Sequence, residues 1–157
     1  PKDFYWKLAG FGRGRALKDW ENLGLKLRRE KLKIDKNLYS TLLLPQGKNG
    51  PAFLAFKNFE VYLKWNDSFI YTVTAAHLAK RLGGAKKYKH NNPSDILDIE
   101  AMIKLQNVLR SKGYDVGKVD GILGAKTRQA VRSVQLEFGL SADSWPTKEL
   151  LRKLLIN

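Results

Sequence analysis

The sequence predicts an α+β protein that is mainly helical and divided into two units. Apolar residues make up 43% and charged residues 28% of the 157 residues, which is typical of a folded globular chain. Several stretches repeat their apolar residues with helical spacing, whereas a shorter part has apolar runs broken by proline and glycine. The stretch GGAKKYKHNNPS, residues 83–94, has the composition of a linker, since it offers almost nothing to bury.

The net charge of +14 is spread unevenly along the chain. Residues 1–94 hold 19 basic and 7 acidic residues, a net charge of +12, whereas residues 95–157 hold 10 and 8, a net charge of +2. We therefore divide the chain into a first unit (1–84), a linker (85–97) and a second unit (98–157). A strongly basic first unit is expected to face an anionic partner, and nucleic acid, anionic lipid and an acidic polysaccharide all remain open at this point.

The composition excludes several classes of protein. The chain has no cysteine, which excludes disulfides, cysteine-ligated zinc and thiol catalysis. No stretch approaches the roughly 20 apolar residues that a membrane-spanning helix needs. The chain opens PKDFYW, without methionine or a leader pattern, so we expect a piece of a longer or processed chain.

The first unit is predicted to mix short helices with strands. Residues 15–24, RALKDWENLG, fit a short helix with Leu17, Trp20 and Leu23 facing inward. Residues 40–56 hold two apolar runs split by proline and glycine, which predicts two strands or extended segments.

The end of the first unit is predicted to be helical, with one ambiguous stretch before it. Residues 58–66 fit both a strand and a helix. Residues 67–84 predict a helix that Asp67 or Ser68 caps and a glycine ends. Its apolar face is predicted to comprise Tyr71, Ala75, Leu78 and Leu82.

Three short helices are predicted for the second unit, each with an apolar stripe that it could not bury alone. The stripes comprise Ile99, Met102, Ile103, Leu105, Val108 and Leu109, then Ala130, Val131, Val134 and Phe138, then Leu150, Leu151, Leu154 and Leu155. Gly113 and Gly139 follow the first two stripes and predict their ends.

A detailed turn precedes the second of these helices, in DGILGAKTRQAVRSVQ (120–135). Asp120 and Gly121 predict a tight turn, because aspartate bonds its own backbone and glycine supplies a positive φ. Gly124 stands where an N-cap belongs, with a special backbone conformation expected, and Thr127 falls in the first helical turn. From the residues alone, this loop joins two helices and does nothing else.

The second unit resembles the peptidoglycan-binding type 1 domain. The resemblance is carried by KLQNVLRSKGY (104–114), VDGILGAKTRQAVRSVQ (119–135) and GLSAD (139–143). It implies a small three-helix bundle that binds the cell wall. The motif residues it implies are Gln106, Asp120, Gly121, Gly124 and Thr127.

Residues 40–84 resemble the end of the catalytic domain of MltB-type lytic murein transglycosylases, a lysozyme-like domain. The carriers are the P-x-G-x-x-GPAFL pattern from Pro45 to Leu54 and the aromatic-Asn-x-Ser-x-x-Tyr pattern that starts at Trp65. The resemblance implies sugar contacts from Trp65, Asn66, Ser68 and Tyr71. The alternative is that the two aromatic residues belong to the core and that Asn66 only starts a helix.

The resemblance also implies an activity and a compartment. Such enzymes act in the periplasm and cleave the β-1,4 bond between N-acetylmuramic acid and N-acetylglucosamine without water as nucleophile, leaving a 1,6-anhydro sugar. In these enzymes one glutamate of a Glu-Ser motif serves first as the acid and then as the base, and the reaction needs no metal or cofactor. This chain has no Glu-Ser dipeptide, so we assign no catalytic residue and give Glu60 no such role.

Three functions remain open from the sequence. The leading one is the C-terminal part of a lytic transglycosylase, with peptidoglycan as partner. Further partners of such a protein would be the membrane, through an N-terminal lipid anchor outside these residues, and the N-terminal part of the catalytic domain. The second is a stand-alone, non-catalytic wall-binding module. The third, a nucleic-acid binder, rests on charge alone and lacks a recognisable reading motif, so we expect no nucleic-acid partner.

Overall fold

The structure is a computed structural model and describes residues 4–10, 12–27, 34–65, 68–87 and 96–156. The first unit forms a 3-10 helix (Trp6–Leu8), β1 (Arg15–Ala16), α1 (Leu17–Asn22), β2 (Tyr39–Leu43), β3 (Phe53–Phe56), α2 (Lys57–Trp65) and α3 (Phe69–Leu82). The second unit forms α4 (Ile99–Ser111), α5 (Ala125–Glu137) and α6 (Lys148–Ile156). The described part is mainly helical with one small sheet, which confirms the predicted α+β class.

The sheet of the first unit is antiparallel, in the order β1-β2-β3. Strand β2 pairs with β3 so that Ser40 faces Phe56 and Leu43 faces Phe53. The two predicted strands in residues 40–56 are thus confirmed, and the proline and glycines between them form the connecting loop.

Strand β2 places neighbouring leucines on opposite faces of the sheet, as the two-residue period of a strand requires. On one face, Leu42 packs in a cluster around Trp20, which is fully buried and donates from its indole N–H to the Ser40 carbonyl at 3.0 Å. On the other face, Leu43 packs with Phe59 of α2 and Phe69 of α3. Both faces of β2 are therefore covered, which fixes its register.

Two predicted faces in the first unit are partly or wholly wrong. Leu23 lies just beyond the end of α1 and is 38% exposed, because the helix ends one residue earlier than the inward spacing assumed. In α3, the predicted face points to solvent: Leu78 is 57% and Leu82 is 82% exposed. The buried residues of this helix are instead Phe69 and Thr72.

Residues 58–66, which fit both a strand and a helix, are helical as far as they are described. Helix α2 follows β3 without a break and keeps Phe59 buried. Leu63, one turn later, packs on the same cluster, so helical spacing accounts for burial where strand spacing would not.

The three helices of the second unit share one hydrophobic cluster. It includes Met102, Leu105 and Leu109 of α4, Val131 and Val134 of α5, and Leu150 and Leu154 of α6. Burial of each such leucine stabilises the fold by roughly 1.5–3 kcal/mol. Gly113 and Gly139 adopt φ values of 88° and 64°, as expected for residues that end helices.

Candidate functional site

The residues predicted to contact sugar lie where α2 ends and α3 begins. Trp65 is the last residue of α2, and Ser68 is the N-cap of α3. The Ser68 hydroxyl accepts a hydrogen bond from the backbone N–H of Tyr71 at 3.3 Å, and Tyr71 is 49% exposed. Asn66, the alternative cap Asp67 and the side chain of Trp65 lie outside the described residues. The structure thus brings Trp65, Ser68 and Tyr71 to one corner, and their contact with sugar stays a prediction.

The structure describes two glutamates of the first unit, Glu21 and Glu60. Glu21 is paired with Lys36, and Glu60 is exposed in the first turn of α2. Within the described ranges, no group of three or more His, Cys, Asp or Glu could hold a metal ion. The same ranges contain no helix long and apolar enough to cross a membrane.

In the second unit, the predicted motif converges on the side chain of Gln106, which is fully buried. Its Oε1 accepts hydrogen bonds from the backbone N–H groups of Asp120 at 3.2 Å and Gly121 at 2.9 Å. Its Nε2 donates to the carbonyl of Ile122 at 3.0 Å and lies 3.2 Å from the hydroxyl of Thr127. One amide therefore holds both the turn and the start of α5 against α4.

The two glycines of this turn have different roles. Gly121 has a φ of 76°, and a Cβ on it would lie 2.8 Å from Cγ2 of Ile99. Asp120 accepts a hydrogen bond from the Ile122 N–H at 2.9 Å, which completes the predicted turn. Gly124 is the N-cap of α5 but has a φ of −78° and an extended ψ, which any residue can adopt. The special backbone conformation expected at Gly124 is therefore wrong, and it belongs to Gly121.

The burial of this motif limits what it can contact. Gln106 and Thr127 are 0% and 1% exposed, and the Thr127 hydroxyl donates to the Val116 carbonyl at 3.0 Å. Asp120 and Gly124 are exposed and Gly121 is half-buried, so these three are the members of the motif that a ligand could reach. The buried members of the motif therefore hold the turn in place from inside, and only its exposed members can contact a ligand.

A second buried glutamine repeats this arrangement at the other end of α5. Gln135 donates to Oδ1 of Asp143 at 2.8 Å and to the Trp145 carbonyl at 3.1 Å. It accepts from the Ser144 N–H at 2.9 Å, where the chain turns with a φ of 62°. The sequence analysis included Gln135 only as the last residue of the matching segment 119–135 and gave it no role. The sequence signal for this role was the position of Gln135, three helical turns after Gly124 and directly before another irregular loop.

The two units contact each other through polar groups that the sequence analysis missed. Oδ2 of Asp143 accepts from the backbone N–H of Lys48 at 2.8 Å, and the Lys48 amine donates to the Ser141 hydroxyl at 3.0 Å. Nη2 of Arg128 donates to the carbonyl of Pro45 at 2.8 Å. The loop between β2 and β3, which carries the P-x-G-x-x-G pattern, is therefore one part of the first unit that meets the second.

A groove of about 410 Å³ lies between the units, lined by residues of both. Three arginines line it: Arg13 from the first unit, and Arg128 and Arg132 from α5. Arg128 is 6% exposed, with its guanidinium 4.8 Å from the ring centre of Phe69 and 5.7 Å from that of Trp145. Arginines four residues apart on one helix share a face, which is the sequence signal for this groove.

The electrostatics of the groove follow from burial and from crowding of like charges. Burial lowers the pKa of Arg128 to about 10, against the opposing effect of the Asp143 carboxylate, so Arg128 is a cation at pH 7. Burial also lowers the pKa of Arg132, and the nearby Arg13 lowers it further. The groove is therefore a positively charged, partly desolvated space.

Comparison with protein families gives two matches, in the order that the sequence predicts. The model of the transglycosylase SLT domain matches residues 1–80, and that of a peptidoglycan binding domain matches residues 99–154. Among individual proteins, the spore cortex-lytic enzyme of Bacillus cereus is 42% identical over 57 residues. That alignment covers 34% of this chain and 22% of the enzyme.

Solved structures of SltB3 from Pseudomonas aeruginosa are similar along almost the whole chain. The complex with NAG-anhNAM-pentapeptide is 37% identical with a TM-score of 0.77, and it covers 99% of this chain and 42% of that chain. The complex with NAG-NAM-pentapeptide is 37% identical with a TM-score of 0.76, covering 98% and 42%. This chain thus spans less than half of SltB3. Because the SLT match extends over more than half of its length and a peptidoglycan binding domain follows, the chain belongs to the SLT family of lytic transglycosylases.

Proposed function

We propose that this chain binds peptidoglycan and forms the C-terminal part of a periplasmic lytic transglycosylase. The full-length parent would cleave the β-1,4 bond between MurNAc and GlcNAc and leave a 1,6-anhydroMurNAc end. The observation that carries this proposal is 37% identity to SltB3 across 99% of the chain, since SltB3 was solved with NAG-anhNAM-pentapeptide and NAG-NAM-pentapeptide.

The two units have different tasks in this proposal. Residues 98–157 act as a three-helix wall-binding bundle. Residues 1–84 contribute one side of the sugar site at the junction of α2 and α3, with Trp65, Asn66, Ser68 and Tyr71 as contacts. Aromatic faces suit the apolar faces of sugar rings, and an amide offers both a donor and an acceptor to an N-acetyl group.

The acid–base glutamate comes from another part of the parent protein. A single carboxyl group that first protonates the leaving oxygen and then deprotonates the muramyl O6 hydroxyl suffices for this reaction. Such a parent could also carry an N-terminal lipid anchor, and the remaining catalytic segment would be a partner of these residues. By itself, the chain is then a binding protein.

The test is co-sedimentation of the chain with purified sacculi, at low and at high salt. We expect the chain to pellet at both salt concentrations. Salt screens attraction between exposed charges over a Debye length of about 8 Å, whereas hydrogen bonds and apolar packing to the glycan are weakened much less. Tyr71→Ala should weaken sedimentation several-fold, whereas Tyr5→Ala, a control at another exposed tyrosine, should not. A chain that stays in the supernatant at low salt would contradict the proposal.

The same incubation tests the missing catalysis. Mass spectrometry of the soluble products should show no 1,6-anhydro muropeptides from the chain alone. Their catalytic appearance would mean that these residues contain an acid–base group, and Glu60 would then be the first to substitute. Sedimentation without any dependence on Tyr71 would favour the alternative of a stand-alone wall-binding module.

A further inference from the structure

The groove between the units carries more positive than negative charge. Arg13, Arg128 and Arg132 line it, together with one described acidic residue, Asp143. Both carboxylate oxygens of Asp143 accept hydrogen bonds from within the chain, Oδ1 from Gln135 and Oδ2 from the backbone N–H of Lys48. Asp143 therefore offsets only part of the charge in the groove, and two cationic charges remain uncompensated.

Two of these arginines keep a buried donor without a partner among the described residues. Nη2 of Arg128 donates to the Pro45 carbonyl, and Nη2 of Arg132 donates to the Lys7 carbonyl at 2.7 Å. Their Nε atoms are buried and have no hydrogen-bond partner within the described part of the chain. Leaving a buried charged donor unsatisfied is costly, so each such atom calls for an acceptor.

Gly10 leaves the wall of the groove beside Arg132 without a side chain. Gly10 lies opposite Arg132, and a Cβ on Gly10 would be 3.9 Å from Nε of Arg132. Apart from Arg13, the wall on the side of the first unit is apolar and includes Leu43, Leu44 and Phe69, whereas the second unit also adds the polar Gln129 and Ser144. A volume of about 410 Å³ is within the range of sites for small molecules, and it can hold the end of a short peptide.

We propose that this groove binds a carboxylate of the peptidoglycan stem peptide, using Arg13, Arg128 and Arg132. A guanidinium presents its N–H groups in a planar fork that matches a carboxylate, and the apolar wall suits small aliphatic side chains of the peptide. The glycan itself offers hydroxyl and N-acetyl groups, which would not neutralise the groove. The inference rests on the proposed function, and it adds a peptide site between the units to the sugar site at the junction of α2 and α3.

Calorimetric titration of the 157-residue chain with NAG-NAM-pentapeptide and with peptide-free NAG-NAM, whose lactyl carboxyl is amidated so that it carries no charge, tests this site. We expect the pentapeptide compound to bind about tenfold more tightly, as one charge-assisted hydrogen bond would provide. Arg13→Gln, at an exposed position, should remove most of that difference without changing the affinity for NAG-NAM. Arg152→Gln removes the same charge on the exposed side of α6 and should change neither affinity.

A second measurement does not depend on how a variant folds. The side-chain Nε–Hε signals of Arg128 and Arg132 should shift in the NMR spectrum of the wild-type chain when NAG-NAM-pentapeptide is added, and stay in place with NAG-NAM. If these signals do not move and Arg13→Gln binds like the wild type, the peptide site is overturned, even where the chain still pellets with sacculi. If the chain fails to pellet, the proposed function falls, and the arginine signals decide separately whether the groove takes the peptide carboxylate.

Discussion

Gly47 lies so close to Trp145 that a Cβ on Gly47 would be 2.6 Å from the Cβ of Trp145. Gly47 belongs to the loop between β2 and β3 and has a φ of 69°. The next residue, Lys48, donates its backbone N–H to Asp143 at 2.8 Å. Position 47 therefore favours glycine for two reasons. Its backbone is left-handed, and the contact between the two units leaves no room for a Cβ.

We predict that Gly47→Ala destabilises the protein more than Gly12→Ala. Both glycines have a positive φ, 69° and 72°, but nothing lies within 4 Å of a Cβ built on Gly12. Backbone strain alone should reduce the free energy of unfolding by roughly 1–3 kcal/mol in both variants. The clash with Trp145 should add to the loss in Gly47→Ala. Urea unfolding measures both, and equal losses would show that the two units are not packed here as described.

Replacement of Gln106 by leucine should destabilise the second unit. The change leaves the part-buried N–H groups of Asp120 and Gly121 without their acceptor, at a cost on the order of 1–3 kcal/mol for buried groups of this kind. Asn107→Leu, one residue later and exposed on α4, should stay within about 0.5 kcal/mol of the wild type. The free energy of unfolding from urea titration compares them. If Gln106→Leu is as stable as Asn107→Leu, the amide is not the centre of the turn.

Gly121 and Gly124 should respond differently to substitution. Gly121→Ala places a Cβ 2.8 Å from Ile99 at a φ of 76°, and should cost roughly 1–3 kcal/mol. Gly124→Ser adds a side chain at an N-cap position with open space around it, and should be neutral or stabilising by a few tenths of a kcal/mol. Melting temperatures provide the comparison. A larger loss at Gly124 would mean that the strained residue of the turn is Gly124 after all.

A pH dependence is expected from Tyr114, whose phenol donates a hydrogen bond to the carboxylate of Glu137. This bond raises the pKa of Tyr114 above its ordinary value of 10.0, and burial and the charge of Glu137 act in the same direction. Because the folded-state pKa lies above the unfolded one, the stabilisation is complete below pH 10 and is lost as the pH rises through the folded pKa.

The variant Glu137→Gln tests this assignment. It should bring the pKa of Tyr114 down towards 10, as read from the ring carbon signals in an NMR titration. Glu149→Gln, which removes a carboxylate paired with Lys153 on α6, should leave the pKa of Tyr114 unchanged. A pKa of Tyr114 that is indifferent to Glu137→Gln would contradict the hydrogen bond.

The periodic spacing of apolar residues predicted most of the buried face correctly for the helices of the second unit. Met102, Leu105 and Leu109 share a helical stripe and are all buried, because the helices on either side require that face. In α3 the same reasoning failed, since Leu78 and Leu82 are apolar but exposed. Phe69 and Thr72 are buried instead, and Phe69 packs with Leu43 of β2. The spacing of apolar residues shows which residues share one face of a helix. Whether that face is buried depends on the helices and strands that pack against it.

The candidate sites show the same limit. Local chemistry predicted the turn at Asp120 and Gly121, because the constraints act between adjacent residues. The groove was not predicted, because Arg13 and Arg132 are brought together by packing of units far apart in the sequence. For the corner formed by Trp65, Ser68 and Tyr71, the sequence suggested the residues and the structure gives their backbone position, while the sugar contact stays a prediction.

The bonds that Arg128 and Arg132 make across the units end on main-chain carbonyls, those of Pro45 and Lys7. A carbonyl is present whatever the residue, so the first unit presents to α5 a surface that does not depend on its side chains at these two positions. Mutations at positions 7 and 45 that keep the backbone path should therefore be tolerated, whereas mutations of the two arginines should not. At these contacts, the second unit is therefore sensitive to mutation and the first unit is not. Substitutions at positions 7 and 45 should not compensate for substitutions of the two arginines.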